Sequence, residues 1–417
     1  MNIFPFIIIT ALALEFILNT IADNLNLKAL KHEVPTILAE VYKPDEYRKS
    51  HEYTVSRTHF GFITSFFSLL IILLFWFMGG FNFLDQIVRS WGFGPITNGL
   101  FYIGILLIAY SILTLPFSIY ATFVIEERFA FNRTTPQIYI ADILKGLALM
   151  VVLGGPLLAG VLTLFEYTGT YAWLYCWVAV TVFTIVMQLV APIWIMPLFN
   201  KFSPMESGEL KNAIHEYAHS VGYEVGNISV MDGSKRSEKT NAFFTGFGRT
   251  KRIALFDTLI SKHTAQELVA ILAHEIGHYK KKHVLQGIVI SIVHTGLIFF
   301  LLSILLRSPA LYQAFFMDQD SIYAGLIFFG LLYTPVEMIL SIALQIVSRR
   351  NEYEADRFVV ETTTEPIYFV DALKKLTYEN LSNLTPHPFY VFLNYSHPPL
   401  LQRIQAIHRY RANKIQI

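Results

Sequence analysis

One cysteine and an even balance of charge leave little room for several common kinds of protein chemistry. Cys176 is the single thiol in 417 residues. It has no intramolecular disulfide partner, and its apolar surroundings suit a small buried hydrophobe. The 32 Lys and Arg offset 31 Asp and Glu to a net charge of +1, so there is no basic excess for nucleic acid and no acidic excess for a cationic partner. Only 15% of residues are charged, too few to coat the two or three soluble domains that this length would otherwise allow.

The chain is instead 54% hydrophobic, with a mean hydropathy of +0.47. Crossing the hydrocarbon layer takes about 20 largely apolar residues in a helix. Seven stretches qualify: roughly 3–20, 61–80, 98–120, 146–166, 171–194, 285–306 and 322–347. The first has no basic leader, carries Glu15 mid-run and lacks a small-x-small cleavage site, so it reads as a retained span. The fold class expected is therefore mainly α, a polytopic membrane protein.

Lysine and arginine set the orientation. Lys28, Lys31, Lys43, Arg48, Lys49 and Arg57 follow the first span, and Arg128, Arg133 and Lys145 follow the third. The loop after the fifth span and the tail hold nearly all the others, leaving Arg89 and Arg307 opposite. The N-terminus is then outside and the tail cytoplasmic. Glu15, Gln188, His294 and Glu337 fall within spans, where each is expensive against lipid. As a set they point to a water-accessible interior.

Four portions follow: spans one to five with their loops (1–194), a cytoplasmic α/β portion (195–284), spans six and seven (285–347) and a cytoplasmic tail (348–417). In the second, Ser203-Pro204-Met205-Glu206 reads as a capping box that opens an amphipathic helix ending near Gly222. Residues 227–233 and 252–260 have strand composition. Thr264 and Glu267 form a second capping box, starting the helix that carries "HEIGH" (274–278). The tail reads as a helix, a proline-marked loop and a final amphipathic helix.

Positions i and i+4 share a helix face, so His274 and His278 reach one ion, with Glu275 about 100° around the helix, placed to hold a water. Zinc suits this arrangement because it polarises a carbonyl and lowers the pKa of a water without redox side reactions. A catalytic site wants a third protein ligand and an open fourth position. In "SRRNEYEADRFVV" (348–360), a helix would set Glu352 and Asp356 on one face and Glu354 nearly opposite. That favours Glu352 as the ligand, with Asp356 behind it orienting a ligand histidine. His283, after three lysines, reads as interfacial and solvated. Gly277 costs helix propensity and suggests close approach by another backbone.

Beyond these residues the chain resembles the Ste24-type CAAX prenyl proteases of the M48 metalloproteases. The resemblance runs through most of the chain, in "VIEERFAFNRTT" (124–135), "MPLFNKFSPM" (196–205), "DGSKRSEKTNAFFTGFGRTKRIALFDTLI" (232–260), "HEIGH", "SRRNEYEAD" (348–356) and "NYSHPPLLQRIQAI" (394–407). It implies seven helices around a large water-filled chamber and one Zn2+ per chain, held by His274, His278 and Glu352 at the cytoplasmic end. It also implies Glu275 as general base, Asn241 binding the substrate backbone, and His397 and Arg403 steadying the oxyanion and the site. An ion pair from Arg403 to Asp356 or Glu354 stands equal to a direct catalytic part.

The resemblance implies a monomer in the bilayer cutting a peptide or protein near its C-terminus, with substrates prenylated at a C-terminal CAAX cysteine. The absence of long insertions and of a dilysine signal favours a bacterial cytoplasmic membrane; a eukaryotic member would sit in the endoplasmic reticulum or inner nuclear membrane. One rival is a quality-control protease of the HtpX kind. A rival of another class is a transporter with an incidental His-Glu-x-x-His. A site-2 type protease fits poorly, because Lys262, Glu267 and Lys280–Lys282 flank the motif at the membrane surface.

Overall fold

A computed structural model of the chain describes residues 2–31, 33–39, 43–245 and 252–415. Residues 246–251, inside the stretch 232–260 singled out above, lie outside the described residues.

Seven helices are long and apolar enough to cross a membrane. They are built from α1 (Ile3–Lys28), α2 (Pro44–Phe77), α4 (Pro95–Tyr120), α5 with α6 (Pro136–Leu149, Gly155–Tyr167), α7 with α8 (Ala172–Val190, Met196–Phe199), α12 (His283–Leu305) and α14 (Ile322–Thr362). Between α2 and α4 lies α3 (Gly80–Ser90). All seven expected spans are present, and most of the helices outrun the hydrophobic stretch that marks them. α2 begins 17 residues before its apolar run because Pro44 at its first turn and Asp45 and Glu46 beside it start a helix well outside the bilayer. α14 likewise continues unbroken past residue 347, so the tail's first helix is the seventh span prolonged.

The polar residues of the spans face cavities or one another. His294 Nε2 lies 3.2 Å from Glu337 Oε2 and 3.1 Å from the Tyr333 hydroxyl. Glu15 and Glu337 line one cavity of about 460 Å³ between α1 and α14. Gln188 lines the cavity of the candidate site. A wet interior is where such groups are tolerated.

The part outside the spans is a four-stranded sheet flanked by helices. Its elements are β1 (Phe202–Pro204), α9 (Glu209–Ser220), β2 (Asn227–Met231), β3 (Ala242–Thr245), β4 (Arg252–Phe256), α10 (Asp257–Lys262) and α11 (Ala265–Lys280). The tail adds α15 (Ile367–Glu379), α16 (Pro388–Asn394) and α17 (Leu400–Ile415), and α13 (Pro309–Gln313) precedes α14. The strand order is β1-β2-β4-β3, with β2 and β4 parallel and β3 antiparallel to β4 at one edge.

Two local expectations fail. Residues 203–206 do not open a helix; β1 pairs antiparallel with β2, Met205 N–H donates to Ile228 O, and the helix starts at Glu209. Sheet pairing overrides the capping pattern, and Pro204 is tolerated because β1 is an edge strand. The run 252–260 is a strand only to Phe256, because Asp257 turns the chain into α10, its Oδ1 accepting from the Thr258 N–H.

The two segments outside the spans, 195–284 and the tail, share one apolar core. Ile214 and Tyr217 of α9, Ile253 and Leu255 of β4, Leu272 and Ile276 of α11, Val359 and Phe369 of the tail and Ile404 of α17 belong to it. The loop after α4 ties this core to the spans. Arg236 makes a bidentate pair with Asp142 of α5 at 2.7 and 2.9 Å, and Lys239 reaches Glu126 at 2.8 Å and the Tyr53 hydroxyl of α2 at 2.8 Å.

Candidate metal centre

α11 is fixed before it reaches the histidines. Thr264 Oγ1 accepts from Glu267 N–H while the Glu267 carboxylate accepts from Thr264 N–H, so the capping box is complete. The Glu267 carboxylate also holds Lys375 of α15 at 2.7 Å. Further along, Gly277 lets α11 lie against α14: a Cβ there would come within 3.2 Å of Ala355 Cα and of Phe358 Cβ. This is the close backbone approach that glycine inside the motif suggests. It brings residues 352–356 beside the histidines.

Three candidate ligand residues converge in consequence. His274 Nε2 and His278 Nε2 are 3.2 Å apart, Glu352 Oε2 is 3.4 Å from the first and Glu352 Oε1 3.3 Å from the second. A tetrahedral ion with nitrogen and oxygen ligands about 2.0–2.1 Å away sets those atoms about 3.3–3.4 Å apart. The spacing fits zinc. Glu352 Oε2 is also buried without a hydrogen-bond partner, as an oxygen reserved for a cation would be. Of the described residues, these three form the one group of His, Cys, Asp or Glu side chains spaced to share an ion.

Each histidine is held from behind. His274 Nδ1 donates to Asp356 Oδ1 at 3.0 Å, and Asp356 takes a bidentate pair from Arg403 of α17 at 2.6 and 2.9 Å. Arg403 therefore makes the ion pair with Asp356, not Glu354, and its Nη1 also stands 3.6 Å from Glu352. Burial pulls the His274 imidazolium down, but the neighbouring Asp356 and Glu352 carboxylates outweigh that and bring its pKa up to about 9. Burial acts against the Arg403 guanidinium as well, and the Asp356 charge more than compensates.

His278 has a different support, one the sequence reading missed. Its Nδ1 is 3.0 Å from Nδ1 of His283, whose Nε2 is 3.3 Å from Glu354 Oε2. His283 is buried, not solvated as expected. The cause is Lys282, whose left-handed backbone (φ 62°) turns the chain sharply between α11 and α12 and folds His283 back onto α11. A His-Glu-x-x-His followed five residues later by another histidine was the available signal.

Glu275 and His397 complete the wall. Both line, with the three ligand residues, a cavity of about 990 Å³ that extends to Gln188, Ala191 and Pro192 at the end of the fifth span. His397 Nε2 is 3.3 Å from Glu352 Oε1, and its Nδ1 is 2.9 Å from Ser396 Oγ. Asn241 makes its hydrogen bonds elsewhere: it is exposed at the head of β3, its Oδ1 accepting from Ala242 N–H and its carbonyl from Phe256 N–H. The structure does not bond it to the metal group.

Comparison with known proteins agrees with this geometry. Residues 24–201 match the CAAX prenyl protease N-terminal model of five membrane helices, and residues 204–411 match peptidase family M48. The chain is 34% identical to CAAX prenyl protease 1 homolog of Arabidopsis thaliana, covering 94% of both chains. It is also 34% identical to CAAX prenyl protease 1 of Saccharomyces cerevisiae, covering 91% of this chain and 89% of that one. The crystal structure of S. mikatae Ste24p superposes with a TM-score of 0.91 at 33% identity, over 97% of this chain and 98% of that one. With peptidase relatives on this scale, the transporter reading of the polar spans falls away. The chain belongs to peptidase family M48, as an integral-membrane metalloendopeptidase of the Ste24 type.

Proposed function

We propose that this protein cuts peptide bonds near the C-terminus of prenylated CAAX substrates, using one zinc ion held by His274, His278 and Glu352. The observation that carries the reading is the convergence of His274, His278 and Glu352 on one point, lining with Glu275 a cavity of about 990 Å³. The relatives named above supply the substrate class.

Bound zinc would polarise the scissile carbonyl and ease deprotonation of water. Glu275 takes the proton of the attacking water and returns it to the leaving amine. His397, with Nε2 aimed into the site, donates to the oxygen on which negative charge grows, an effect worth about 10²–10³ in rate where such donors have been removed. Arg403 acts through Asp356 on His274, and His283 with Glu354 holds His278. β3 is an edge strand, and an extended peptide added there would pass Asn241. The lysine and arginine distribution puts this centre on the cytoplasmic side. The relatives named are eukaryotic, so an endoplasmic reticulum location stands beside the bacterial membrane.

The test uses purified monomeric protein in lipid, with matched peptides carrying or lacking a prenylated cysteine. The wild type should cut the prenylated peptide faster, and Glu275→Gln should slow it about 10²–10⁴-fold with zinc retained. Equal cutting by Glu275→Gln contradicts the proposed base. Indifference to the prenyl group gives instead a general membrane-protein protease.

A further inference from the structure

We infer that Arg349, on the last turns of α14 before the metal ligand, is a positioning residue that sets His397 for its part in the reaction. The inference rests on the reading of His397 as oxyanion donor.

α14 carries Gln345, Arg349, Glu352 and Asp356 at steps of four, three and four residues. On a helix those positions form one stripe. The last two reach the histidines of α11. The first two reach the segment that leads to His397: Gln345 Nε2–H donates to Leu393 O at 2.8 Å, and Arg349 Nη1 donates to Val391 O at 3.1 Å and to Tyr395 O at 2.5 Å. Val391 O already accepts from Tyr395 N–H at the end of α16, so the guanidinium gathers the helix terminus and the residue after it around one nitrogen. Both bonds end on carbonyl oxygens, not on a carboxylate.

The geometry of the remaining segment explains what that achieves. From Tyr395, only Ser396 separates the anchored carbonyl from His397. On the far side Pro398 and Pro399 stiffen the chain, and Leu400 starts α17, whose Arg403 is locked to Asp356 of α14. The His397 segment is thus held to the same helix at both ends, by Arg349 upstream and Arg403 downstream. Yet the His397 side chain itself is 64% exposed, and among the described residues its ring nitrogens meet Glu352 Oε1 and Ser396 Oγ. An exposed ring is placed by its backbone. Releasing the upstream end should let His397 drift while Glu352, inside a continuous helix with Asp356 still anchored, stays put. A misplacement of about 1 Å in a catalytic group costs on the order of 100-fold.

The experiment is a double-mutant cycle in the full-length zinc-loaded protein, pairing Arg349→Met with His397→Ala and reading kcat, KM and zinc content. The expected result is that Arg349→Met lowers kcat roughly 10- to 100-fold with KM and zinc unchanged. In the His397→Ala background the same change should cost less than about twofold, because its route to the reaction is gone. Arg349→Lys, which keeps the charge but offers a point donor in place of the fork, should fall between. If Arg349→Met does not fold, Gln345→Met provides the same cycle with a smaller kcat loss. Equal losses in both backgrounds, loss of zinc, or no loss at all would overturn the inference. If His397→Ala itself runs at the wild-type rate, it is the oxyanion reading that fails, and the two failures are told apart.

Discussion

The two ligand histidines sit one helical turn apart on α11 and are supported in opposite ways. His274 is buried, and so are Asp356 and Arg403 behind it, so its partner chain ends in a dry bidentate ion pair. The chain behind His278 runs outward: His283 is buried, but the Glu354 carboxylate it meets is 41% exposed and shared with an exposed Arg350 at 3.2 Å. A buried charge pair is costly to break, because the survivor is left uncompensated. An exposed pair is worth about 0–1 kcal/mol. One side of the centre is therefore rigid and intolerant, and the other is connected to water and forgiving.

One expected contrast is in pH. His274 has its pKa raised to about 9, above the usual 6.5, when no ion competes. The metal-free fold is then stabilised by this group fully below about pH 6.5, and the contribution is lost as pH rises through about 9. Metal binding must displace that proton, so apparent zinc affinity should climb about tenfold per pH unit, on the order of 100-fold from pH 6.5 to 8.5. Competition with a chelator across that range measures it, and Asp356→Asn should flatten the slope.

Larger in free energy is Asp356→Ala, which takes the bidentate partner from the buried Arg403 charge at a cost of about 3–5 kcal/mol. A clear drop in the thermal unfolding midpoint of the metal-free protein is the readout. His283→Ala should be different in kind: zinc affinity falls roughly 10- to 100-fold while the metal-free protein unfolds within a few degrees of wild type. A fall in stability as large as that of Asp356→Ala would erase the contrast between the sides. Glu354→Gln, at the exposed end of the same chain, should cost no more than about fivefold in affinity.

What could be read before folding follows the same division. The candidate pair His274 and His278 was legible because i, i+4 spacing is local, and the seven spans because lipid forces long apolar helices. Gly277 was legible too, since glycine inside a helix needs a reason. His283 was misread because its burial depends on one left-handed residue, Lys282, which has no side-chain signature. The pattern at Ser203–Glu206 was locally sound and lost to pairing with β2. β3 escaped notice as a short strand made by β4, its neighbour in the sheet. The anchoring of the His397 segment on α14 joins residues about 45 apart, which no local period reveals.

All of this depends on one ion shared by α11 and α14. Zinc quantified per chain after purification, in wild type, Glu275→Gln and Glu352→Ala, tests that most directly. The account predicts one zinc per chain in the first two and little or none in the third. A full complement of zinc in Glu352→Ala would contradict it.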